Sequence, residues 1–264
     1  MKTIVLQSFR RHDVPAWMNL CMDSVRAWAA SRAYQYQFLD DAFFEPLPDW
    51  FLQSAGTAKT IWTDYARVLW ARHFLAQGYE RFIWVDADVL VFVPAALTVE
   101  QLSQGYGFCH EIQAARTKGA STGVELHHRI NNAISVYCRG NPFLDFYRHA
   151  MERMVRKKAP LAHDSLGTVL LSHLGMVMPV PVLLNVGLFN PLTLQAVAAD
   201  DASILGPFLS AAYGPLAAAN VCQSLRGRRL MGVQVSDELV AAAIENCLRD
   251  GGGHLNRHRR QTSP

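Results

Sequence analysis

The stretch from Arg81 to Phe92, RFIWVDADVLVF, decides how the rest of the chain is read. Phe82-Ile83-Trp84-Val85 is an uninterrupted apolar run, the pattern of a central strand buried on both faces. Asp86-Ala87-Asp88 follows, and a second apolar run, Val89-Leu90-Val91-Phe92, comes directly after it. Two carboxylates inside so apolar a segment are costly to bury unless positive charge meets them. In extended chain, residues i and i+2 project from one face, so both acids are expected to share one divalent cation. The bland alternative is a strand end with its acids in water or capping a helix.

Working outward, Thr3–Gln7 reads as a first strand, and Trp17, Leu20, Cys21, Val25 and Trp28 recur at helical spacing after Pro15. Residues 34–39, YQYQFL, alternate as a strand that ends at Asp40-Asp41. This βαβ order predicts parallel strands with a right-handed crossover, and ligands in such sheets collect at the strands' carboxyl ends. A loop over 42–56 leads to a helix from about Thr57 to Gln77, stopped by Gly78 in a left-handed cap. On that helix Asp64 lies at the edge of the apolar stripe and Arg67 a further step round, facing either a cleft or, as an i,i+3 pair, plain solvent.

Beyond the central strand the spacing predicts a short helix over 94–102, a strand over 106–110 and a loop over 113–130 holding Lys118, Gly119, Gly123, His127 and His128. Asn131-Asn132 leads into another strand, and 142–158 is an amphipathic helix. Asp164 or Ser165 is placed to cap the next helix. Residues 177–190 read as a bent edge strand, 192–219 as alanine-rich helix, and 237–249 as a last amphipathic helix. Gly251-Gly252-Gly253 opens a basic tail over 251–264 that is expected to be flexible.

Composition narrows the classes. The chain has 264 residues, half of them hydrophobic, 18% charged, with a formal charge of +3. That charge is too small to imply a nucleic-acid partner. Cys21, Cys109, Cys138, Cys222 and Cys247 are scattered without a CxxC pair, as expected for free thiols in the cytoplasm. No signal-peptide pattern and no apolar run of about 18 residues is present; the basic residues Arg257, His258, Arg259 and Arg260 leave peripheral membrane contact open. The phosphate-cradling GxxxxGK[ST] loop is absent, as are GxGxxG after the first strand, the GxSxG elbow and the HExxH zinc helix.

With these pieces on one sheet, the first strand end, Asp40-Asp41, Asp64, Arg67, Asp86 and Asp88 gather at one rim. Acids with one arginine suit a divalent cation bridging a diphosphate, the arginine touching phosphate or sugar. The segments PAWMNLCMDSVRAWA, YQYQFLDD and AKTIWTDYARVLWARHFLAQGYERFIWVDADVLVF resemble the GT-A glycosyltransferases with a DXD sugar-binding motif, within the capsular-polysaccharide, mannosyl- and α-1,4-galactosyl-transferase-like group. The resemblance spans residues 3–92 well and the remainder loosely.

It implies an α/β, Rossmann-like, mixed and mainly parallel sheet flanked by helices, in one domain over 1–250 with a donor-binding half (1–112) and an acceptor-side half (113–250). It implies a nucleotide-sugar donor with Mn²⁺ or Mg²⁺, a glycan or other hydroxyl acceptor, and retention of anomeric configuration. By the same likeness Asp86 contacts ribose and sugar, Asp88 the metal, Asp64 and Arg67 the transferred sugar, and Gln7 with its adjacent loop the base and ribose. Asp40, at a strand's carboxyl end, is a candidate for holding the nucleotide, the alternative being a solvated turn. Asn132 lines the sugar pocket and Asp164 lies near the acceptor. The chain departs from the pattern in three places. The double glycine before DXD is missing, Leu166-Gly167-Thr168 lacks the family's proline, and Asn220 stands where a metal histidine is usual, with His254 as the rival third ligand. His127, His128, His163 and His173 read as structural or surface residues. Two other classes compete with the enzyme reading: a sugar-nucleotide-binding protein without turnover, and a nucleotidyltransferase releasing pyrophosphate.

Overall fold

The computed structural model describes residues 1–100, 102–117, 123–157 and 160–259. Lys118, Gly119 and Arg260, singled out above, lie outside the described residues. Strand β1 (Thr3–Ser8), helix α1 (Ala16–Ser31) and strand β2 (Gln35–Leu39) form the expected crossover, with β1 and β2 parallel. Helix α2 (Asp49–Ala55) and the long α3 (Lys59–Ala76) precede β3 (Arg81–Val85), which pairs parallel to β1 on its other side. All five β3 residues are buried, as the continuous apolar run requires. Gly78, at φ +91, ends α3 where a left-handed residue is needed.

The chain then turns at Asp86–Asp88 and enters β4 (Val89–Val91), which belongs to a second sheet. The two acids therefore sit in a turn, closed by Val89 N–H on the Asp86 carbonyl at 3.1 Å, and not in continuous extended chain. Where a helix over 94–102 is expected, the described residues form a turn over 94–96 and irregular chain over 97–99.

A larger correction concerns 113–130. Strand β5 runs from Tyr106 to Arg116 and β6 from Val124 to Cys138, antiparallel along most of their length. Alternating polar residues on β6 face outward, and strand pairing satisfies the backbone that the polar composition suggests is left to solvent. The expected boundary between halves at 112/113 thus falls inside β5. Helix α4 (Pro142–Arg156) follows, then a π-helical turn over Ser165–Val169 and helix α5 (Leu170–Val177). The expected edge strand is two short pieces, β7 (Val182–Leu183) and β8 (Val186–Leu188).

The main sheet has strand order β2-β1-β3-β6-β5-β7, three of its pairings parallel and two antiparallel. It is a mixed α/β, Rossmann-like arrangement with helices against it. Helices α6 (Pro191–Ala199) and α7 (Ala202–Ala211) lead to β9 (Ala218–Asn220), which lies between β4 and β8 in the second sheet. After a small hairpin over 229–234 and helix α8 (Asp237–Leu248), the glycine-rich segment packs instead of trailing away. Leu255 is buried, and Arg257 and His258 bond Asp200. Those two basic side chains are therefore engaged within the fold. No helix among the described residues is long and apolar enough to cross a membrane.

Candidate active site

The sheet's carboxyl edge opens on a cavity of about 490 Å³. Its wall takes residues from the loop after β1, from Asp40 and Asp41 beyond β2, and from the first half of α3. The Asp86–Asp88 turn, Asn131 and Asn132 on β6, the 163–168 segment and the chain after β9 complete it. Asp40, Asp64, Arg67, Asp86, Asp88, Asn132, Asp164 and Asn220, all expected at the site, line this one space.

Arg67 is the hub. It is 9% exposed, and its guanidinium meets Asp86 Oδ1 at 2.7 Å, Asp64 Oδ1 at 3.4 Å and the Asn132 carbonyl at 3.1 Å. The Trp84 ring lies beneath it, 5.0 Å from centroid to guanidinium carbon, and the indole N–H donates to Asp86 Oδ1 at 2.7 Å. Asn132 Nδ2 donates to Asp64 Oδ1 at 2.9 Å. The Asp64–Arg67 pair is thus buried, and the surface-pair alternative does not hold. Gly167 presses on the same group: a β-carbon there would stand 2.9 Å from either end of the Asn132 amide and 3.0 Å from Asp64 Oδ2.

Asp88 is held from the other side. Asn220 Nδ2 donates to its Oδ1 at 2.8 Å, and the Gln223 N–H to its Oδ2 at 2.7 Å. Asn220 Oδ1 accepts the Cys222 N–H at 2.7 Å, which fixes which way the amide points. The oxygen expected as a metal ligand therefore faces its own loop, and Asn220 meets Asp88 as a donor. His254, the rival ligand, lies against Asp200 at 3.3 Å, away from the cavity.

Gln7, and Asp164 as a helix cap, differ from expectation, while Asp40 lines the cavity. Gln7 is fully buried and does not line the cavity; its Nε2 donates to the Asp86 carbonyl at 3.1 Å and its Oε1 accepts from Tyr36 at 3.0 Å. It anchors the turn from behind. Asp164 makes no capping bond and pairs with Arg129 at 3.0 Å. Asp40 takes Arg11 at 2.5 Å and the Ala42 N–H at 3.2 Å.

The charges do not balance. Burial pushes Asp64 up to about 6, although Arg67 and Asn132 pull it down. Burial and the neighbouring Asp86 push Asp88 up to about 7, and burial also raises Asp86 against the pull of Arg67. Burial disfavours the Arg67 charge, but Asp86 and Asp64 more than offset it. Asp40 is held low, chiefly by Arg11. Two buried carboxylates, Asp64 and Asp88, and the partly buried Asp86 around one guanidinium leave surplus negative charge. Asp86 and Asp88 are hard oxygen donors, so they fit a divalent cation in type and in charge. Among the described residues no histidine, cysteine, aspartate or glutamate joins them as a third ligand.

Sequence reasoning missed Asn131, Lys59 and Gln223, all on the cavity wall. Asn131 bonds Glu111 and the Ala133 N–H, and Ala133 O takes the Asp86 N–H, so it steadies the turn through the strand. Only the polar doublet at 131–132 hinted at it.

No family model matches the chain, and no curated protein matches it. Among solved structures, mouse xyloside xylosyltransferase 1 in its apo form overlaps with a TM-score of 0.41 at 12% identity, over 84% of this chain and 98% of that one. A glycosyltransferase involved in glycosylation of the major capsid of PBCV-1 overlaps with a TM-score of 0.36 at 12% identity, over 61% and 69%. Mannose-1-phosphate geranyltransferase from Thermus thermophilus gives 0.30 at 12%, over 63% and 67%. Overlaps of this depth carry over neither residues nor activity.

Proposed function

We propose that this chain is a metal-dependent glycosyltransferase that moves a hexose from a UDP- or GDP-sugar to a glycan or other hydroxyl acceptor. The observation that carries the reading is the buried Asp64–Arg67–Asn132 network standing beside Asp86 and Asp88 in one cavity. A cavity of about 490 Å³ is of the size that encloses one small organic ligand. In this proposal Asp64, Arg67 and Asn132 bind the hydroxyls of the transferred sugar and fix its orientation. Asp86 and Asp88 hold Mn²⁺ or Mg²⁺, which when bound neutralises charge on the departing nucleoside diphosphate. Arg10 and Lys59, both on the wall, add positive charge towards phosphate. Asp164, held by Arg129, lies on the acceptor side. Retention of configuration follows the resemblance.

A thermal-shift panel of UDP- and GDP-sugars with and without Mn²⁺, paired with an assay for released nucleoside diphosphate, tests this. A ligand at about 100 times its Kd adds about 2.7 kcal/mol to the native state. A metal-dependent shift with one donor, with turnover lost in Asp88→Ala, supports the reading; release of pyrophosphate in its place points to nucleotidyl transfer. The Asn220–Asp88 bond favours a second reading, a sugar-nucleotide-binding protein without turnover. Binding with no released nucleoside diphosphate is its signature.

A further inference from the structure

His110 on β5 and His128 on β6 are diagonal neighbours across the hairpin, since His110 stands opposite Ile130 and His128 opposite Ile112. Their rings stack with centroids 5.0 Å apart and planes at 18°, and His110 Nε2 lies 2.9 Å from His128 Nδ1. The Tyr213 ring covers His110 at 4.5 Å, leaving that histidine 8% exposed. A nitrogen–nitrogen contact of this length holds one proton: one ring donates N–H and the other accepts. With a second proton, two N–H groups on two cations face each other, and the contact must open.

The pair is wired to the candidate site through the strands that carry it. Each histidine is followed by a residue on the opposite face, Glu111 and Arg129, themselves partners across the hairpin. Arg129 holds Asp164, and Glu111 takes the Asn131 amide at 3.0 Å; Asp164 and Asn131 both line the cavity.

We infer that the His110–His128 pair is an acid-sensitive fastening: uptake of a second proton parts the two rings, lifts the hairpin stem from Tyr213 and loosens the Arg129–Asp164 wall of the cavity. This holds whatever reaction the cavity performs. The titratable groups facing His110 are His128 from β6 and Tyr213 beyond α7, and among the described residues no carboxylate offsets the incoming charge. Burial first, and His128 second, hold His110 down to about 4. A histidine held below its unfolded value gives stability that is present at higher pH. That stability is lost as pH falls from about 6.5 through the folded value. The closed state therefore weakens between about pH 6.5 and 4.

Hydrogen exchange on the full chain at pH 7.5 and 5.0, corrected for intrinsic rates, tests the fastening. In the wild type, the opening equilibrium of amides in 108–112 and 126–131 is expected to rise roughly tenfold at the lower pH, the linkage being discounted for solvent at His128. In His110→Gln and His128→Gln, which cannot form the paired cations, that rise disappears. The same rise in both variants, or none in the wild type, overturns the inference. A proton-titration readout needs no variant: an NMR midpoint for wild-type His110 well below 6 supports it, and a midpoint near 6.5 sinks it.

Discussion

Asn220 donates its side-chain amide to Asp88, Nδ2 to Oδ1 at 2.8 Å, across a separation of 132 residues. The bond gives the second acid of the Asp86–Asp88 turn a neutral donor as partner. The Cys222 N–H on Asn220 Oδ1 keeps the amide from turning over. Replacing this donor with a lone pair should convert a competitor into a ligand. Asn220→His is expected to tighten Mn²⁺ binding about tenfold, about 1.4 kcal/mol, read as loss of the free-ion signal in electron paramagnetic resonance. Equal or weaker binding would count against a cation at Asp88.

Gly167 sits where no side chain fits. A β-carbon at this position needs space already held by the Asn132 amide and Asp64 Oδ2, neither of which can retreat without breaking their own hydrogen bond. Gly167→Ala is expected to cost about 1–3 kcal/mol by overpacking, measured by urea unfolding. It should also weaken nucleotide-sugar binding more than nucleotide binding, because the displaced groups are those assigned to the sugar. A variant of wild-type stability would mean that the π-helical turn yields freely.

Arg67 joins Asp64, Asp86 and the Asn132 carbonyl through a planar fork that a lysine cannot copy. Arg67→Lys leaves the charge but strands at least one buried acceptor. A loss of about 2–3 kcal/mol in stability is expected, with any transferase activity reduced about a hundredfold or more. Near-normal activity in Arg67→Lys would show that charge alone suffices, and would remove the case for directed sugar contacts.

Much of this site was legible because its residues lie on regular elements. The apolar run of β3, the βαβ order and the Gly78 stop bring the Asp86–Asp88 turn and the helix carrying Asp64 and Arg67 towards one sheet edge, while periodicity left the Asp64–Arg67 pair facing either the cleft or solvent. What escaped depends on tertiary partners. Gln7 stands one residue before the end of β1, near the right rim, yet its side chain turns inward because Tyr36 and the Asp86 carbonyl satisfy it there. The polar alternation of β6 resembles a loop until β5 is known to run beside it. His254 follows three glycines, a composition that reads as flexible. Asp200, in a left-handed conformation at the end of α6, draws His254, Arg257 and His258 onto one carboxylate. The direction of the Asn220 amide is set by one backbone N–H, which no spacing rule contains.

The surplus of buried acid makes the last prediction. Asp64 and Asp88 are raised to about 6 and about 7, in each case first by burial. A carboxyl that binds its proton more tightly in the native state than unfolded gives stability at low pH, lost as pH rises through the native value. The cavity should therefore destabilise the fold between about pH 5 and 8, the opposite sense to His110. His110→Gln removes that second limb and makes the first visible. In this variant, with chelator present, Tm is expected to fall as pH rises from 5 to 8, by an amount on the order of 2 kcal/mol in stability. Millimolar Mn²⁺ at pH 8 should return most of it, because a cation replaces the proton as the neutralising charge. A Tm that stays flat with pH would show that Arg67 and the surrounding donors already balance the acids. A fall that Mn²⁺ fails to reverse would locate the surplus charge correctly but deny the cation a seat between Asp86 and Asp88.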